Sequence, residues 1–243
     1  MKIVAIYKWA LNPDDALIKS DASVDWRNAK MVASDDDAAA IACAREILNP
    51  GDTLSGLTFD SGDASWALAR GAEETYSITE PEITDDHAYL AQLLAAAITR
   101  MGDVDLVLIG ENNDQAAVAG TIAGYLGIRA ILGVESCTRN GESLTVKRRS
   151  GSNIEEITVA LPALIGIAAA SSEKNPPGMK EMLKARKRPI TKINISDLNT
   201  DGTKRIEVTG TQLPENVSTT MFDGDPAEAA EKLIARLRND GLL

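Results

Sequence analysis

The chain has 243 residues, 44% of them hydrophobic, and its 25 basic and 36 acidic side chains give a formal net charge of −11. This charge argues against general nucleic-acid binding, which needs a basic surface to replace counterions, and no apolar run approaches the length that spans a bilayer. The N-terminal MKIVAIYK lacks the cleavage-site character of a signal peptide, so we expect a cytoplasmic protein without membrane insertion.

Apolar runs of strand length alternate with helical patterns over the first two-thirds of the chain. Ser34 is the expected N-cap of a helix whose first turn is acidic, and Gly71 and Gly102 follow two further helices as C-terminal signals. We predict strands at 2–7, 53–59 and 106–109, a short strand around 77–78, and helices at 35–48, 64–70, 85–101 and 116–126. Strands that alternate with crossover helices predict an α/β fold, a doubly wound and mostly parallel sheet.

The next part of the chain has a different pattern. Runs at 134–136, 144–148 and 156–159 are separated by hairpin signals at 140–141 and 150–152, which predicts a small antiparallel excursion before a buried strand at 163–169. We therefore expect one nucleotide-binding α/β domain over 1–193. Residues 194–243 have loop composition up to Pro226 and then a final helix, which predicts an extended C-terminal arm that packs on a partner subunit.

The segment 105–128 is the strongest candidate for a ligand site. An apolar run ends at Gly110, a polar loop follows, and small residues lead into an apolar helix that ends near Gly127. A buried strand that feeds a helix N-terminus of small residues is how α/β proteins hold phosphates, because the first N–H groups of the helix have no intrahelical partner. An ordinary strand–loop–helix connection without a ligand is the alternative.

Other site chemistries have weaker support. Cys43 and Cys137 lie far apart and His87 is the single histidine, which disfavours a structural zinc site or a Cys/His nucleophile. Residues 180–192 are locally basic on an acidic protein, which indicates either a partner site or a solvated helix end.

Several blocks, in order, resemble the beta subunit of the electron-transfer flavoproteins, and in particular its nitrogen-fixation (Fix) branch. The match runs from residue 1 to about 198. The blocks are the strand ending in Tyr7-Lys8, SVDWRNAKMVASDDDAAAIACA, LARGAEE, the loop after Gly110, Val146-Lys147-Arg148, Leu161-Pro162-Ala163 and NPPGMKEMLKARKRPI. The resemblance implies the adenine-nucleotide alpha-hydrolase-like version of the α/β fold.

The resemblance also implies a function. Members pair with an alpha subunit that carries the redox-active FAD, and the beta subunit holds AMP or, in electron-bifurcating members, a second FAD. This chain would then help to move electrons between an acyl-CoA-type or other dehydrogenase and a quinone or low-potential acceptor, without catalytic residues of its own. The alternative is a stand-alone adenine-nucleotide-binding module of the stress-protein type.

The family's nucleotide contacts correspond to strand ends and helix starts of this chain. They fall at Ile6, Tyr7, Lys8, Ser34, Asp37, Phe59, Asn112, Asn113, Asp114, Gln115, Ala116, Ala117, Val118, Ala119, Gly120 and Thr121. Asp114 would position a ribose or cap the next helix, and the small helix residues would face phosphates or serve packing. The carboxylates of residues 35–37 would repel a phosphate unless they point away.

The family's partner-recognition segment falls at residues 175–190. The implied docking residues are Met179, Lys184, Arg186, Lys187 and Arg188. Met179 would be an apolar anchor for a dehydrogenase or would cover this protein's own core, and the basic residues would guide acidic partners. Arg148 matches a family arginine that we expect at the subunit interface.

Overall fold

The computed structural model describes residues 1–59, 62–79, 86–111, 116–141, 143–169, 173, 175–201, 203–213 and 219–243. The strands in these ranges are β1 (Lys2–Ile6), β2 (Ala10–Leu11), β3 (Leu17–Ile18), β4 (Val24–Asp25), β5 (Met31–Val32), β6 (Thr53–Phe59), β7 (Glu74–Thr79), β8 (Leu106–Gly110), β9 (Arg129–Asn140), β10 (Ser143–Ser150), β11 (Asn153–Val159), β12 (Ala163–Ile167) and β13 (Thr191–Asn194). The helices are α1 (Asp35–Ile47), α2 (Trp66–Ala69), α3 (His87–Arg100), α4 (Ala116–Leu126), α5 (Met179–Ala185) and α6 (Pro226–Asn239).

A nine-stranded sheet organises these elements, in the order β11-β10-β9-β12-β8-β1-β6-β7-β13. The pairs from β9–β12 across to β7–β13 are parallel, whereas β10 pairs antiparallel with both β9 and β11. Two small antiparallel pairs, β2–β5 and β3–β4, lie outside this sheet. The predicted mostly parallel α/β sheet with an antiparallel excursion is confirmed.

Helices cover both faces of the sheet, which completes the doubly wound arrangement. Residues of α1, α2 and α5 share one apolar core with Ile3, Ala5 and Leu108. Residues of α3 and α4 share the other with Val4 and Ile109. Successive residues of β1 and β8 thus enter opposite cores, as the period of two along a strand requires, and these central strands are buried on both faces.

The chain divides into two compact units. The first comprises Met1–Lys19 and Val24–Thr209, and the second comprises Ser20–Ser23 and Gly210–Leu243. After β13, the first unit includes a segment in which the backbone N–H groups of Arg205 and Ile206 donate to the Asp86 carboxylate at 2.6 and 3.1 Å.

The second unit contains α6, which begins where its sequence signals predict. The Asp225 carboxylate accepts hydrogen bonds from the N–H groups of Ala227 and Glu228 at 2.9 and 3.0 Å, and Pro226 occupies the first turn. None of its residues is buried, and Leu233 and Ile234 are 44% and 41% exposed. The final helix therefore carries apolar side chains that are exposed to solvent.

Candidate functional site

The carboxyl ends of β1 and β8 lie at the point where the order of successive strands in the sheet reverses. From β1 the chain passes through α1 to β6 on one side, and from β8 it passes through α4 towards β9 on the other side. The helices α1 and α4 also lie on opposite faces. In doubly wound sheets, ligands bind in the crevice at such a switch point. The sequence candidate at 105–128 begins there.

The first turn of α1 is capped by side chains of its own residues. The Ser34 hydroxyl accepts a hydrogen bond from the Asp37 N–H at 3.0 Å, and the Asp37 carboxylate accepts from the Ser34 hydroxyl and N–H at 2.9 and 3.3 Å. The same carboxylate accepts from the Lys8 N–H at 3.3 Å. This capping box occupies the N–H groups of Ser34 and Asp37, two donors that an anion at this helix start would otherwise use.

The neighbouring carboxylate also binds the protein itself. Asp36 Oδ1 accepts a hydrogen bond from the Ala169 N–H at 2.7 Å, which ties the start of α1 to the chain after β12. Two of the three carboxylates that were expected to repel a phosphate are thus engaged with backbone donors of the site's own scaffold.

Gly110 lets α1 approach the end of β8 very closely. A Cβ atom at this position would lie 2.5 Å from the Asp37 nitrogen, 2.6 Å from Asp37 Oδ1 and 2.7 Å from the Asp36 carbonyl carbon. Backbone atoms cannot move aside as a flexible side chain can, so the contact requires glycine. The glycine that ends the predicted strand therefore serves helix packing directly.

Among the acids at this edge of the sheet, Asp37 has the pKa that departs furthest from its usual value. Its side chain is buried, and Oδ1 has no hydrogen-bond partner among the described residues. Burial raises the pKa of Asp37 to about 6, against the hydrogen bonds from Ser34 and Lys8 that favour the charged form. This carboxylate is therefore held at a free-energy cost near neutral pH.

The predicted helix at 116–126 is confirmed as α4. Val118 and Ala119 are buried in the core beneath it, whereas Ala117 and Gly120 are exposed. Thr121 donates its hydroxyl proton to the Ala117 carbonyl at 2.7 Å. The predicted contacts at Asn112, Asn113, Asp114 and Gln115 lie outside the described residues, as does the side chain of Ala116.

The remaining predicted contacts lie at the ends of β1 and β6. Ile6 is buried in the core shared with α4, and the side chains of Lys8 and Phe59 are half-buried. Tyr7 is buried in the opposite core, where its ring stacks on Trp66 with centroids 4.9 Å apart and its hydroxyl donates to the Ala64 carbonyl at 3.0 Å. Burial raises the pKa of Tyr7 well above its usual value. Ile6 and Tyr7 thus leave only their backbone groups for a ligand.

The predicted docking segment forms α5 and the turn that follows it. Met179 is 73% exposed, and Leu183, one helical turn later, is 51% exposed. Sequence reasoning overlooked Leu183, although its spacing of four from Met179 is the helical signal that identifies it. The pair forms an apolar exposed edge of α5 beside the exposed Lys184.

Two of the basic residues named for docking have partners within the chain. The Arg186 guanidinium pairs with Asp63 at 3.2 Å. The Arg188 guanidinium donates to the Ala72 carbonyl at 3.0 Å and also to that of Glu73. Arg188 therefore anchors the segment to the turn before β7, whereas Lys184 and Lys187 remain exposed.

Within the part of the chain that the structure describes, no group of three or more His, Cys, Asp or Glu side chains is arranged to hold a metal ion. In the same residues, no helix has the length and apolarity to cross a membrane.

Comparison with known proteins identifies a family to which the chain is similar. The model of the electron transfer flavoprotein domain family matches residues 24–198. The chain is also similar to the protein of Bacillus subtilis (strain 168) named electron transfer flavoprotein subunit beta. The two are 22% identical over an alignment of 253 residues, gaps included. The alignment covers 99% of this chain and 98% of that relative.

Proposed function

We propose that this chain, which belongs to the electron transfer flavoprotein domain family, is a beta-type subunit that holds an adenine nucleotide at the switch point of its sheet. The nucleotide is AMP or a second FAD, and the partner is an alpha subunit that carries the redox FAD. A bound FAD supplies the electron-transfer chemistry. This chain binds and orients the nucleotide and docks on its protein partners. The assembled complex moves electrons between an acyl-CoA-type or other dehydrogenase and a quinone or low-potential acceptor.

The open first turns of α4 carry this proposal. A Cβ atom added at Gly120 meets no atom of the described residues within 4 Å, apart from the backbone of its own helix, and Ala117 beside it is exposed. An anion can approach a helix start of this kind, and α4 follows the strand at the switch point. Because α1 is capped by its own Ser34 and Asp37, the start of α4 is the better phosphate site.

Nucleotide analysis tests the proposal directly. We expect mass spectrometry of the small molecules released from the purified protein, co-expressed with an alpha subunit, to find AMP or FAD in excess of the alpha-bound flavin. Gly120→Leu fills the open face of α4 and should weaken nucleotide binding by more than tenfold. Gly124→Leu, one turn further from the helix start and equally open, should leave it unchanged.

Release of neither AMP nor a flavin from the beta chain would contradict the proposal, as would equal binding by the two leucine variants. Whether the site takes AMP or FAD stays a prediction that the same measurement decides. The assignment to the nitrogen-fixation branch also stays a prediction, and finding AMP would count against it.

Exposed apolar side chains on α5 and α6 support the role of a subunit. We assign α6 and the preceding arm to the alpha subunit, and Met179 and Leu183 to a dehydrogenase. Size-exclusion chromatography with a co-expressed alpha-type flavoprotein separates the alternatives. A heterodimer is expected, and a monomer indifferent to that flavoprotein would favour the stand-alone nucleotide-binding module.

Dehydrogenase docking has its own test. The double variant Met179→Ala/Leu183→Ala should slow reduction of the alpha–beta complex by an acyl-CoA dehydrogenase about tenfold, since central apolar anchors dominate such contacts. Thermal stability should not change, because both side chains are largely exposed. Ile154→Ala, which truncates an apolar side chain that is 62% exposed on β11, is the control. An equal loss in the control would contradict the assignment.

A further inference from the structure

A β-bulge interrupts β9, which is separated from β8 in the sheet by β12 alone. In the pairing of β12 with β9, Ile165 lies opposite Ile131 and Ile167 opposite Val134, so Leu132 and Gly133 share one position. Gly133 has a φ of +71°, a left-handed conformation that glycine adopts without strain. The peptide that joins Leu132 to Gly133 thus leaves the regular hydrogen-bond ladder and needs other partners.

Glu111, the first residue after β8, supplies one of these partners. Its Oε2 accepts a hydrogen bond from the Gly133 N–H. The same oxygen lies 3.5 Å from the position that a Cβ atom would take at Gly166 of β12. The Glu111 N–H donates to the Ile167 carbonyl at 2.8 Å. The carboxylate therefore occupies a notch between two glycines and fixes the chain as it leaves β8 towards α4.

Arg148 of β10 supplies the other partner. Its Nη1 lies 3.5 Å from the Leu132 carbonyl oxygen, and its Nε donates to Glu155 of β11 at 2.7 Å. The two polar groups of one bulged peptide are thus contacted by Glu111 on one side and by Arg148 on the other. The guanidinium of Arg149, the next residue, instead pairs with Glu135 at 3.3 Å.

We propose that Glu111 is a positioning residue for the nucleotide site, and that Arg148 acts on that site through the peptide between Leu132 and Gly133. This inference rests on the proposed nucleotide function. The bulged peptide connects the antiparallel strands β10 and β11 to the start of the loop that precedes α4. A change at Arg148 therefore reaches the nucleotide through Glu111, without a contact of its own.

Affinities for AMP and for FAD, measured by isothermal titration calorimetry on the full chain, test the link. Glu111→Ala leaves the Gly133 N–H without its partner and should weaken binding about tenfold. Glu111→Gln keeps an oxygen acceptor and should bind within about threefold of the wild type. Arg148→Ala should weaken binding about threefold, and Arg149→Ala should not change it. In the Glu111→Ala background, Arg148→Ala should cause no further loss, because both act through one peptide.

Amide hydrogen exchange gives a second readout that needs no nucleotide. Glu111→Ala should speed exchange at Gly133 and at the start of α4, Arg148→Ala should speed it at Gly133, and Arg149→Ala should do neither. Unchanged exchange at the start of α4 in Glu111→Ala overturns the inference, as does wild-type affinity of that variant or additive losses in the double variant. A wild-type chain that binds neither AMP nor FAD refutes the proposed function, and exchange alone then judges the positioning role.

Discussion

Gly110→Ala should destabilise the protein by about 1 to 3 kcal/mol, because overpacking against rigid neighbours typically costs this much. The added methyl group would lie 2.5 Å from the Asp37 nitrogen and 2.7 Å from the Asp36 carbonyl carbon. Both atoms belong to a helix start that is pinned by its capping box and by the bond from Ala169. The helix α1 must therefore move away from β8, which opens the crevice between β1 and β8.

Urea denaturation of the variant measures this cost, and nucleotide titration of the folded fraction should show more than tenfold weaker binding. Gly124→Ala is the matched control, because it places the same methyl group on an exposed helix position where no atom of another described element lies within 4 Å. That control should gain about 0.5 to 1 kcal/mol from the better helix propensity of alanine. A Gly110→Ala protein as stable as the control would show that α1 does not depend on this contact.

Local sequence signals were sufficient for most of the fold. Ser34 forms the predicted N-cap, the predicted strand at 53–59 is β6, and α4 has its predicted bounds. These elements depend on capping side chains, apolar runs and glycine stops, all of which lie within a few residues of one another. Some short elements were predicted, such as the helix at 64–70 and the strand around 77–78, but others were not. β13, with only four residues, lay in a segment that was interpreted from its basic charge.

The contacts that build the site could not be predicted in the same way. Gly110 was identified as the end of a strand, but its approach to Asp37 joins residues 73 positions apart. The bond from Gly133 to Glu111 depends on a bulge whose register becomes visible only when β9 pairs with β12. Such contacts follow from the order of strands in the sheet, which periodicity along the chain does not encode.

Asp37→Asn should stabilise the protein near neutral pH and remove part of its pH dependence. The folded protein holds the Asp37 proton with a pKa of about 6, against 3.8 for the free side chain. Between these values the folded state keeps a proton that the unfolded state releases, so stability falls as pH rises through this window. Well above pH 6 the cost is complete and amounts to about 3 kcal/mol.

Asparagine has the same shape and cannot ionise, and its amide oxygen can accept the bonds from Ser34 and the Lys8 N–H. We expect Asp37→Asn to exceed the wild type in stability by up to about 3 kcal/mol at pH 7.5, with the difference vanishing near pH 4. Urea denaturation at pH 4.5, 6.0 and 7.5 measures this difference. Asp35→Asn, at an exposed position of the same turn, should instead lose a few tenths of a kcal/mol at pH 7.5.

A lower stability of Asp37→Asn at pH 7.5 would mean that the capping bonds to an ionised carboxylate outweigh its burial. The distinction bears on the site, because the buried carboxylate sits against Gly110 at the switch point. If burial dominates, this edge of the sheet retains an unfavourable charge that a stability-optimised fold would lack. Retention of a destabilising group at a ligand crevice is what a role in binding would produce.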